Sequence, residues 1–212
     1  METTQEKSNG KLREEALDIL KGNWGPAIGT YLVFMITTVV VQSIPLVGGL
    51  ASLILTGPLS LGIIIYTLKF SRQQDYKLEQ IFDGFKDFTR ALVAYLLMAL
   101  YVFLWSLLLL FPGIMVALSY SMVFFVLADE PELSYSEALE KSKRMMYGYR
   151  WKYFLMNLVF VFFAILAAFT LFIGFLWLVP FIYVSYAKFY ENIKAIYAEK
   201  EANGEAGPVP FF

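Results

Sequence analysis

Three long uncharged stretches separate the polar parts of this chain from one another. They cover Gly22–Leu68, Ala91–Ala128 and Tyr153–Ala187 and contain 47, 38 and 35 residues. One helix needs about 20 apolar residues to cross a bilayer, because the hydrocarbon core is about 30 Å thick and each helical residue rises about 1.5 Å. Each stretch is about twice as long as one span, and the pattern therefore predicts a chain that crosses a membrane several times.

Glycine or proline interrupts each stretch near its middle. The interruptions are "SIPLVGGL" at 43–50, Phe111–Pro112–Gly113, and Gly174 within "TLFIGFLWLVP" at 170–180. A single proline-kinked helix is the alternative, since membranes tolerate such kinks, but a 38-residue helix would be about 57 Å long. We therefore predict an all-α, polytopic membrane helical bundle in which three tight hairpins form six transmembrane spans, at 26–43, 49–68, 91–110, 113–128, 153–172 and 175–190.

The charged residues test this arrangement independently. All 17 Lys and Arg residues and all 18 carboxylates fall in four segments, 1–21, 69–90, 129–152 and 188–205. Six crossings put these segments on one side of the membrane, which the positive-inside rule assigns to the cytoplasm. We expect a multi-pass protein of the cell membrane with both termini in the cytoplasm, and no cleaved signal peptide, because the first apolar stretch far exceeds a signal-peptide core.

The polar segments have a helical period of their own. In 134–148 apolar residues recur at i, i+3 and i+4, and Ser134 with Glu137 forms a capping box. The segments 11–23 and 74–89 repeat the pattern, and we expect all three to be helices that lie in the inner headgroup layer with their apolar faces down. The spans and these helices form a single domain, 1–200, followed by a disordered tail at 201–212.

Composition excludes several kinds of chemistry. The chain has no cysteine and no histidine, so disulfides, thiolate metal sites, thiol nucleophiles and histidine acid–base catalysis are absent. A net charge of −1 gives no indication of nucleic-acid binding. Because no ionisable side chain other than tyrosine lies inside the three stretches, a proton-coupled carrier is disfavoured.

Acidic residues are the remaining candidates for enzyme chemistry. Asp129, Glu130 and Glu132 could bind a divalent cation, as could Asp83 and Asp87, which lie one helical turn apart. Such clusters are more often solvated surface residues, and neither a phosphate-binding glycine loop nor a nucleophile elbow accompanies them. We expect no enzyme activity, no metal and no cofactor.

Two sets of residues are candidate binding sites. Arg150, Trp151 and Lys152 stand where the fifth span enters the membrane, and they serve either as an interfacial anchor or as contacts to a lipid headgroup. Within the spans, Asn157, Ser119 and Tyr120 could form a polar pocket. The alternative is that their polar groups bond to neighbouring helices or to their own backbone.

Several motifs resemble a known family. "LWSLLLLFPGIMVALSYSMVFFVLADEP", "SEALEKSKRMMYGYRWKYF" and "FLWLVPFIYVSYAKFYENI", with "LREEALDILKGNWGPAIGTYLV" and "GPLSLGIIIYTLKFSR" before them, resemble an uncharacterised family of integral membrane proteins common in Gram-positive bacteria. That family is distantly similar to the membrane domain of glycerophosphodiester phosphodiesterases, whose catalytic domain has no counterpart here. The resemblance implies the membrane architecture and provides no catalytic residues.

Two functions therefore remain. The first is a non-enzymatic accessory, scaffold or envelope-modulating factor whose partners are membrane lipids together with a membrane protein or a second copy of the chain. The alternative is a transporter or exporter of a lipid-like or amphipathic molecule or peptide, linked to self-protection.

Overall fold

A computed structural model describes residues 5–43, 48–108 and 110–205. Every regular element in this part of the chain is helical. The α-helices are α1 (Asn9–Leu20), α2 (Trp24–Gln42), α3 (Gly48–Ser71), α4 (Phe88–Leu108), α5 (Leu110–Ser119), α6 (Val123–Asp129), α7 (Tyr135–Met146), α8 (Arg150–Phe169) and α9 (Phe175–Ala202), and a 3-10 helix covers Leu78–Phe85. The all-helical prediction is confirmed.

Among the residues that the structure describes, five helical segments are long and apolar enough to cross a membrane. They are Trp24–Gln42, Ala51–Ser71, Phe88–Leu107, Phe111–Asp129 and Arg150–Phe169. Each coincides with one of the predicted spans. The sixth predicted span, 175–190, falls within the first part of α9. This helix is long enough to cross a membrane, but it is not among the segments that are also apolar enough.

The spanning helices differ in what surrounds them. Of the residues in the apolar segment of α3, 56% are buried within the protein, whereas only 11% of those in the apolar segment of α4 are buried. Large apolar side chains project outward from α2, α4 and α8, including Val39, Phe103 and Phe162. An apolar surface of this extent is unfavourable in water and suits lipid tails, so α2, α4 and α8 form the outside of the bundle around α3.

Helix α3 packs unusually closely against the chain that follows it. A Cβ on Gly62 would lie 1.8 Å from the carbonyl oxygen of Ile81, and a Cβ on Gly57 would lie 2.6 Å from the carbonyl oxygen of Ala91. Only glycine allows backbones to approach this far. Gly57 and Gly62 therefore allow α3 to pack closely against α4 and the 3-10 helix, respectively.

The predicted turn at Phe111–Pro112–Gly113 was wrong in position. Helix α4 ends at Leu108 and α5 already begins at Leu110, so all three residues are helical. Proline is tolerated in the first turn of a helix, because an N–H there has no acceptor within the helix. Gly113 instead provides space, since a Cβ on it would lie 2.2 Å from the hydroxyl oxygen of Ser106 on α4.

The other predicted turns have different outcomes. Between α8 and α9 the chain turns at 170–174, as predicted around Gly174, while Pro180 lies inside α9. In the first stretch, the helices end and begin around the predicted break, and residues 44–47 of that break lie outside the described part of the chain. Of the predicted tail, 201–202 complete α9 and 206–212 lie outside the described residues.

The predicted span 113–128 consists of two helices, α5 and α6. The carbonyl oxygen of Ser119 accepts a hydrogen bond of 2.8 Å from the Ser142 hydroxyl of α7, and the backbone N–H of Val123 bonds to Tyr120 instead. A side chain from another helix thus takes the place of an intrahelical donor, which interrupts the helix at this point.

The amphipathic segments pack differently from the prediction. Leu12, Ala16 and Leu20 of α1 are fully buried, as are Ala138 and Met146 of α7. The expectation that these two apolar faces lie on lipid was wrong, because protein covers them. On the 3-10 helix, by contrast, large apolar side chains remain exposed, namely those of Leu78 and Phe82.

Candidate functional site

The four charged segments of the chain meet in one region, which we call the charged end. The N-terminal segment reaches α8 and α9, since Lys152 Nζ lies 2.7 Å from Glu6 and the backbone N–H of Lys7 donates to Asn192 Oδ1 at 3.1 Å. The segment after α3 reaches the end of α6 through Arg72 and Asp129. Sequence-distant charges are therefore direct neighbours.

Asp129 lies at the centre of the charged end. It is the last residue of α6, and its side chain is 9% exposed. Its carboxylate accepts hydrogen bonds from Arg72 Nη1 at 2.5 Å, Lys194 Nζ at 2.5 Å and Tyr190 Oη at 3.1 Å. One carboxylate thus joins the end of α3, the end of α6 and the last part of α9.

Two further carboxylates extend this network. Glu130 pairs with Lys141 at 2.7 Å and with Lys194 at 3.0 Å. Glu191 pairs with Lys188 at 2.8 Å and with Arg72 at 3.3 Å. Burial raises the pKa of the Glu130 carboxyl, but the hydrogen bonds from Lys141 and Lys194 outweigh burial and hold the pKa below its ordinary value.

These pairings determine what the acidic candidates can do. The carboxylates of Asp129 and Glu130 face ammonium and guanidinium groups rather than one another. Within the described residues, no group of three or more Asp or Glu side chains has an arrangement that could hold a metal ion. The geometry is that of a partly buried ion-pair network, which fixes how helix ends meet.

Arg90 at the start of α4 holds the loop that follows α6. Its guanidinium donates to the backbone carbonyls of Leu127 at 2.9 Å and Leu133 at 3.0 Å, and also to that of Pro131. Its side chain is 14% exposed. The carbonyls at a helix C-terminus have no partner within the helix, so Arg90 acts as the C-terminal cap of α6.

The structure separates Arg150, Trp151 and Lys152. Arg150 is buried, with its guanidinium carbon 5.8 Å from the centre of the Tyr147 ring. Trp151 is 65% exposed and stacks on Phe154. Lys152 pairs with Glu6 and lies over the Tyr149 ring. The three side chains therefore have different surroundings and do not form one cluster.

Asn157, Ser119 and Tyr120 also have different neighbours. Asn157 donates to the carbonyl of Tyr153 and accepts a hydrogen bond of 2.6 Å from Tyr186 Oη. Ser119 donates to the carbonyl of Met115. The Tyr120 ring lies 5.8 Å from the Tyr101 ring of α4. In these contacts the polar groups bond to neighbouring helices or to their own backbone, which was the alternative to a shared polar pocket.

Sequence reasoning did not find Arg72, Arg90, Tyr190 or Lys194. A signal was present for two of them, because Tyr190 and Lys194 are separated by four residues and so lie on one face of a helix. Their shared acceptor, Asp129, is more than 60 residues away in the chain, as the 65-residue separation from Lys194 shows. No local pattern specifies that pairing.

In the described part of the chain, five apolar helical segments are long enough to span a membrane, and the apolar side chains that project outward from them indicate a helical membrane protein. More specifically, it belongs to the DUF975 family, described as a protein of unknown function, whose model matches residues 1–117 and 107–197. The expectation of an uncharacterised family is thereby confirmed. No curated protein and no solved structure matches the chain.

Proposed function

We propose that this chain is a six-span protein of the cell membrane that acts as a non-enzymatic accessory, scaffold or envelope-modulating factor, with both termini in the cytoplasm. Its partners are membrane lipids and either another membrane protein or a second copy of the chain. The observation that carries the proposal is the charged end, where four segments distant in sequence bind one another.

The contacts at the charged end support an even number of crossings. Each uncharged stretch begins and ends at a segment that belongs to this region, so each must leave it and return. In the middle stretch, Ser106 lies against Gly113 and Tyr101 lies against Tyr120, which is the pairing of antiparallel neighbours. Both observations are what we expect if each uncharged stretch forms a hairpin of two antiparallel spans.

The ion-pair network supports a scaffold more than a catalyst. Its carboxylates and cations bind one another and connect α7 and α9 to the ends of α3 and α6. Groups held in this way are not available to bind a metal or to transfer protons, but they do give the cytoplasmic surface a fixed shape. A fixed surface at the ends of spanning helices is suited to docking.

Cysteine labelling tests the topology, since the chain has no cysteine of its own. Single cysteines are introduced at exposed positions at the two ends of the predicted spans, and intact cells are treated with a membrane-impermeant maleimide. We expect labelling of the outer set only, Ser43→Cys, Phe111→Cys and Leu171→Cys, whereas the inner set, Gln74→Cys, Glu132→Cys and Asn203→Cys, reacts after permeabilisation. Labelling of Asn203→Cys in intact cells would overturn the six-span arrangement.

Purification in a mild detergent tests the accessory function. The full chain is isolated from its native membrane and analysed by size-exclusion chromatography with light scattering and by mass spectrometry. We expect a second copy, a specific membrane protein or bound lipid to accompany it. A bare monomer with none of these contradicts the proposal.

A transporter or exporter of a lipid-like or amphipathic molecule or peptide is the second candidate. The observation in its favour is an apolar groove of about 620 Å³ beside α4. Reconstitution into vesicles tests it, with a fluorescent phospholipid or an amphipathic peptide as the transported molecule. Movement no faster than in protein-free vesicles removes this candidate.

A further inference from the structure

The 3-10 helix at Leu78–Phe85 has three separate edges. Because a 3-10 helix turns once every three residues, side chains at i and i+3 lie one above the other. Ile81 and Gly84 form the edge that faces α3, since Ile81 is fully buried and a Cβ on Gly84 would lie 2.0 Å from the carbonyl oxygen of Pro58. Backbone packs directly on backbone along this edge, which fixes the 3-10 helix to α3.

A row of phenylalanine rings forms the second edge. Phe82 and Phe85 lie on it, and Phe88, the first residue of α4, continues it. The ring centres of Phe82 and Phe85 are 6.5 Å apart, as are those of Phe85 and Phe88. Phe82 is 45% exposed, and the other two are partly exposed. We call these three residues the phenylalanine row. An α-helical period would put Ile81 on the same side as Phe82 and Phe85, so the 3-10 geometry is what separates a buried apolar edge from an outward one.

The third edge is charged. Asp83 and Lys86 lie on it and form a pair of 2.7 Å, with the Lys86 side chain 78% exposed. Just before the helix, Lys77 pairs with Asp75 at 3.1 Å. Each of these lysines therefore lies beside a carboxylate. Burial of the rings, rather than attraction to a charged headgroup, is what would hold this segment at a membrane.

The phenylalanine row is too small to bind a partner protein by itself. A stable protein–protein interface buries about 800 Å² on each partner, whereas an aromatic side chain buries about 150–250 Å² when fully covered and less than half of Phe82 is exposed. Lipid tails need no matching surface. The row also ends at α4, whose Leu96 and Leu100 side chains project outward on the lipid-facing side of the bundle. Size and continuity both favour lipid.

We propose that the phenylalanine row inserts into the apolar part of the membrane leaflet at the charged end, while the edge with Asp83 and Lys86 stays in contact with water. The apolar faces of α1 and α7 are covered by protein, so the 3-10 helix differs from them in its partner. This inference rests on the membrane location in the proposed function and holds for either of the two roles. Because the 3-10 helix is fixed to α3, the row enters the leaflet at a depth that α3 determines.

Electron paramagnetic resonance with a nitroxide label tests the insertion. The chain has no cysteine, so one introduced cysteine carries the only label. Phe82→Cys, Lys86→Cys and Phe103→Cys are made in the full chain, which is placed in phosphatidylcholine nanodiscs. Phe103 is an exposed residue of α4 and is the control for lipid, and Lys86 is the control for water. Collisions of the label are measured with oxygen, which concentrates in lipid, and with a water-soluble nickel chelate.

We expect the label at Phe82→Cys to resemble the label at Phe103→Cys, with more frequent collisions with oxygen than with nickel. The label at Lys86→Cys should show the reverse. Phe85→Cys, one turn further along the row, should agree with Phe82→Cys. Addition of phosphatidylglycerol to the nanodiscs should leave all these values unchanged, because insertion of the rings does not depend on headgroup charge.

Three outcomes would overturn the proposal. Nickel collisions at Phe82→Cys as frequent as those at Lys86→Cys would place the row in water. Few collisions with either reagent would show that protein covers it. Preference for oxygen only in the presence of phosphatidylglycerol would replace ring insertion by electrostatic attraction.

Phe103→Cys separates this proposal from the proposed function. If its label collides mainly with nickel, the membrane location itself fails. If its label collides mainly with oxygen while that of Phe82→Cys collides with nickel, only the insertion of the row is wrong. Phe85→Cys decides the result if Phe82→Cys does not fold.

Discussion

The hydroxyl of Ser142 on α7 donates a hydrogen bond of 2.8 Å to the backbone carbonyl of Ser119, the last residue of α5. Both side chains are buried, and the bond joins a helix of the charged end to a membrane-spanning segment. It accounts for the interruption between α5 and α6, and it connects two parts of the chain that are 23 residues apart.

Ser142→Ala should therefore destabilise the protein. The substitution leaves a buried carbonyl without its donor, which costs about 1–3 kcal/mol. Thermal unfolding in detergent, followed by circular dichroism, measures the change. Ser136→Ala on the exposed side of the same helix is the matched control and should have little effect. Equal unfolding temperatures for the two variants would contradict a structural role for the bond.

Asp129→Asn should destabilise the protein more strongly. It removes the charge that Arg72 and Lys194 share and leaves these two partly buried cations with only their longer pairs to Glu191 and Glu130. Loss of one partner from a buried ion pair costs about 3–5 kcal/mol, and because both cations are about one-third exposed we expect about 3 kcal/mol. Denaturant unfolding in mixed micelles measures it.

Asp18→Asn is the control for that variant. Asp18 forms a 2.6 Å pair with Lys21, but its side chain is 58% exposed. Exposed pairs contribute about 0–1 kcal/mol, so this variant should unfold almost like the unmodified protein. A loss of stability as large as that of Asp129→Asn would show that burial is not what distinguishes the two sites.

The stability of the charged end should depend on pH through Glu130. Its pKa in the folded protein lies below the ordinary value, so the pairing contributes stability above the pKa of the unfolded chain. That contribution is lost as the pH falls through the lower, folded pKa. Unfolding measured from about pH 6 downward should show a decline that begins near the ordinary glutamate value of about 4.3.

Glu130→Gln should reduce this decline, because the variant has no proton to take up at that position. Glu79→Gln, at an exposed glutamate, is the matched substitution and should leave the pH profile unchanged. Identical profiles for the unmodified protein and Glu130→Gln would show that Glu130 does not contribute to the pH dependence.

Gly62→Ala should disrupt the packing of α3. The new Cβ would lie 1.8 Å from the carbonyl oxygen of Ile81, and because that neighbour is backbone the two helices must move apart. We expect a large loss of stability or of folded yield. Gly29→Ala is the control, since a Cβ there meets nothing within 4 Å and alanine improves helix propensity by about 1 kcal/mol. Fluorescence-detected size-exclusion chromatography compares the two.

Some features of this protein follow from the order of its residues. The uncharged stretches predicted where apolar helices lie, and within the described residues five of the six predicted spans coincide with helical segments of spanning length. The capping box of Ser134 and Glu137 is present as expected, with the Glu137 carboxylate 2.8 Å from the backbone N–H of Ser134. These are local or one-dimensional properties, because the length of an apolar run and a spacing of three residues are both visible in the chain itself.

Other features were decided by the tertiary structure alone. The sequence could not place the break between α5 and α6, because the donor to Ser119 comes from another helix. It could not show that Asp129 joins Arg72 to Lys194, or that Arg150 and Lys152 lie in different surroundings, because such pairings depend on how helix ends meet in space. The apolar period of α1 was visible, but whether lipid or protein covers that face was settled by its packing in the fold. Hydrophobic patterning specifies which helix faces are buried away from water. It does not specify whether lipid or protein covers them, because the hydrophobic effect is non-directional and does not select a particular apolar partner.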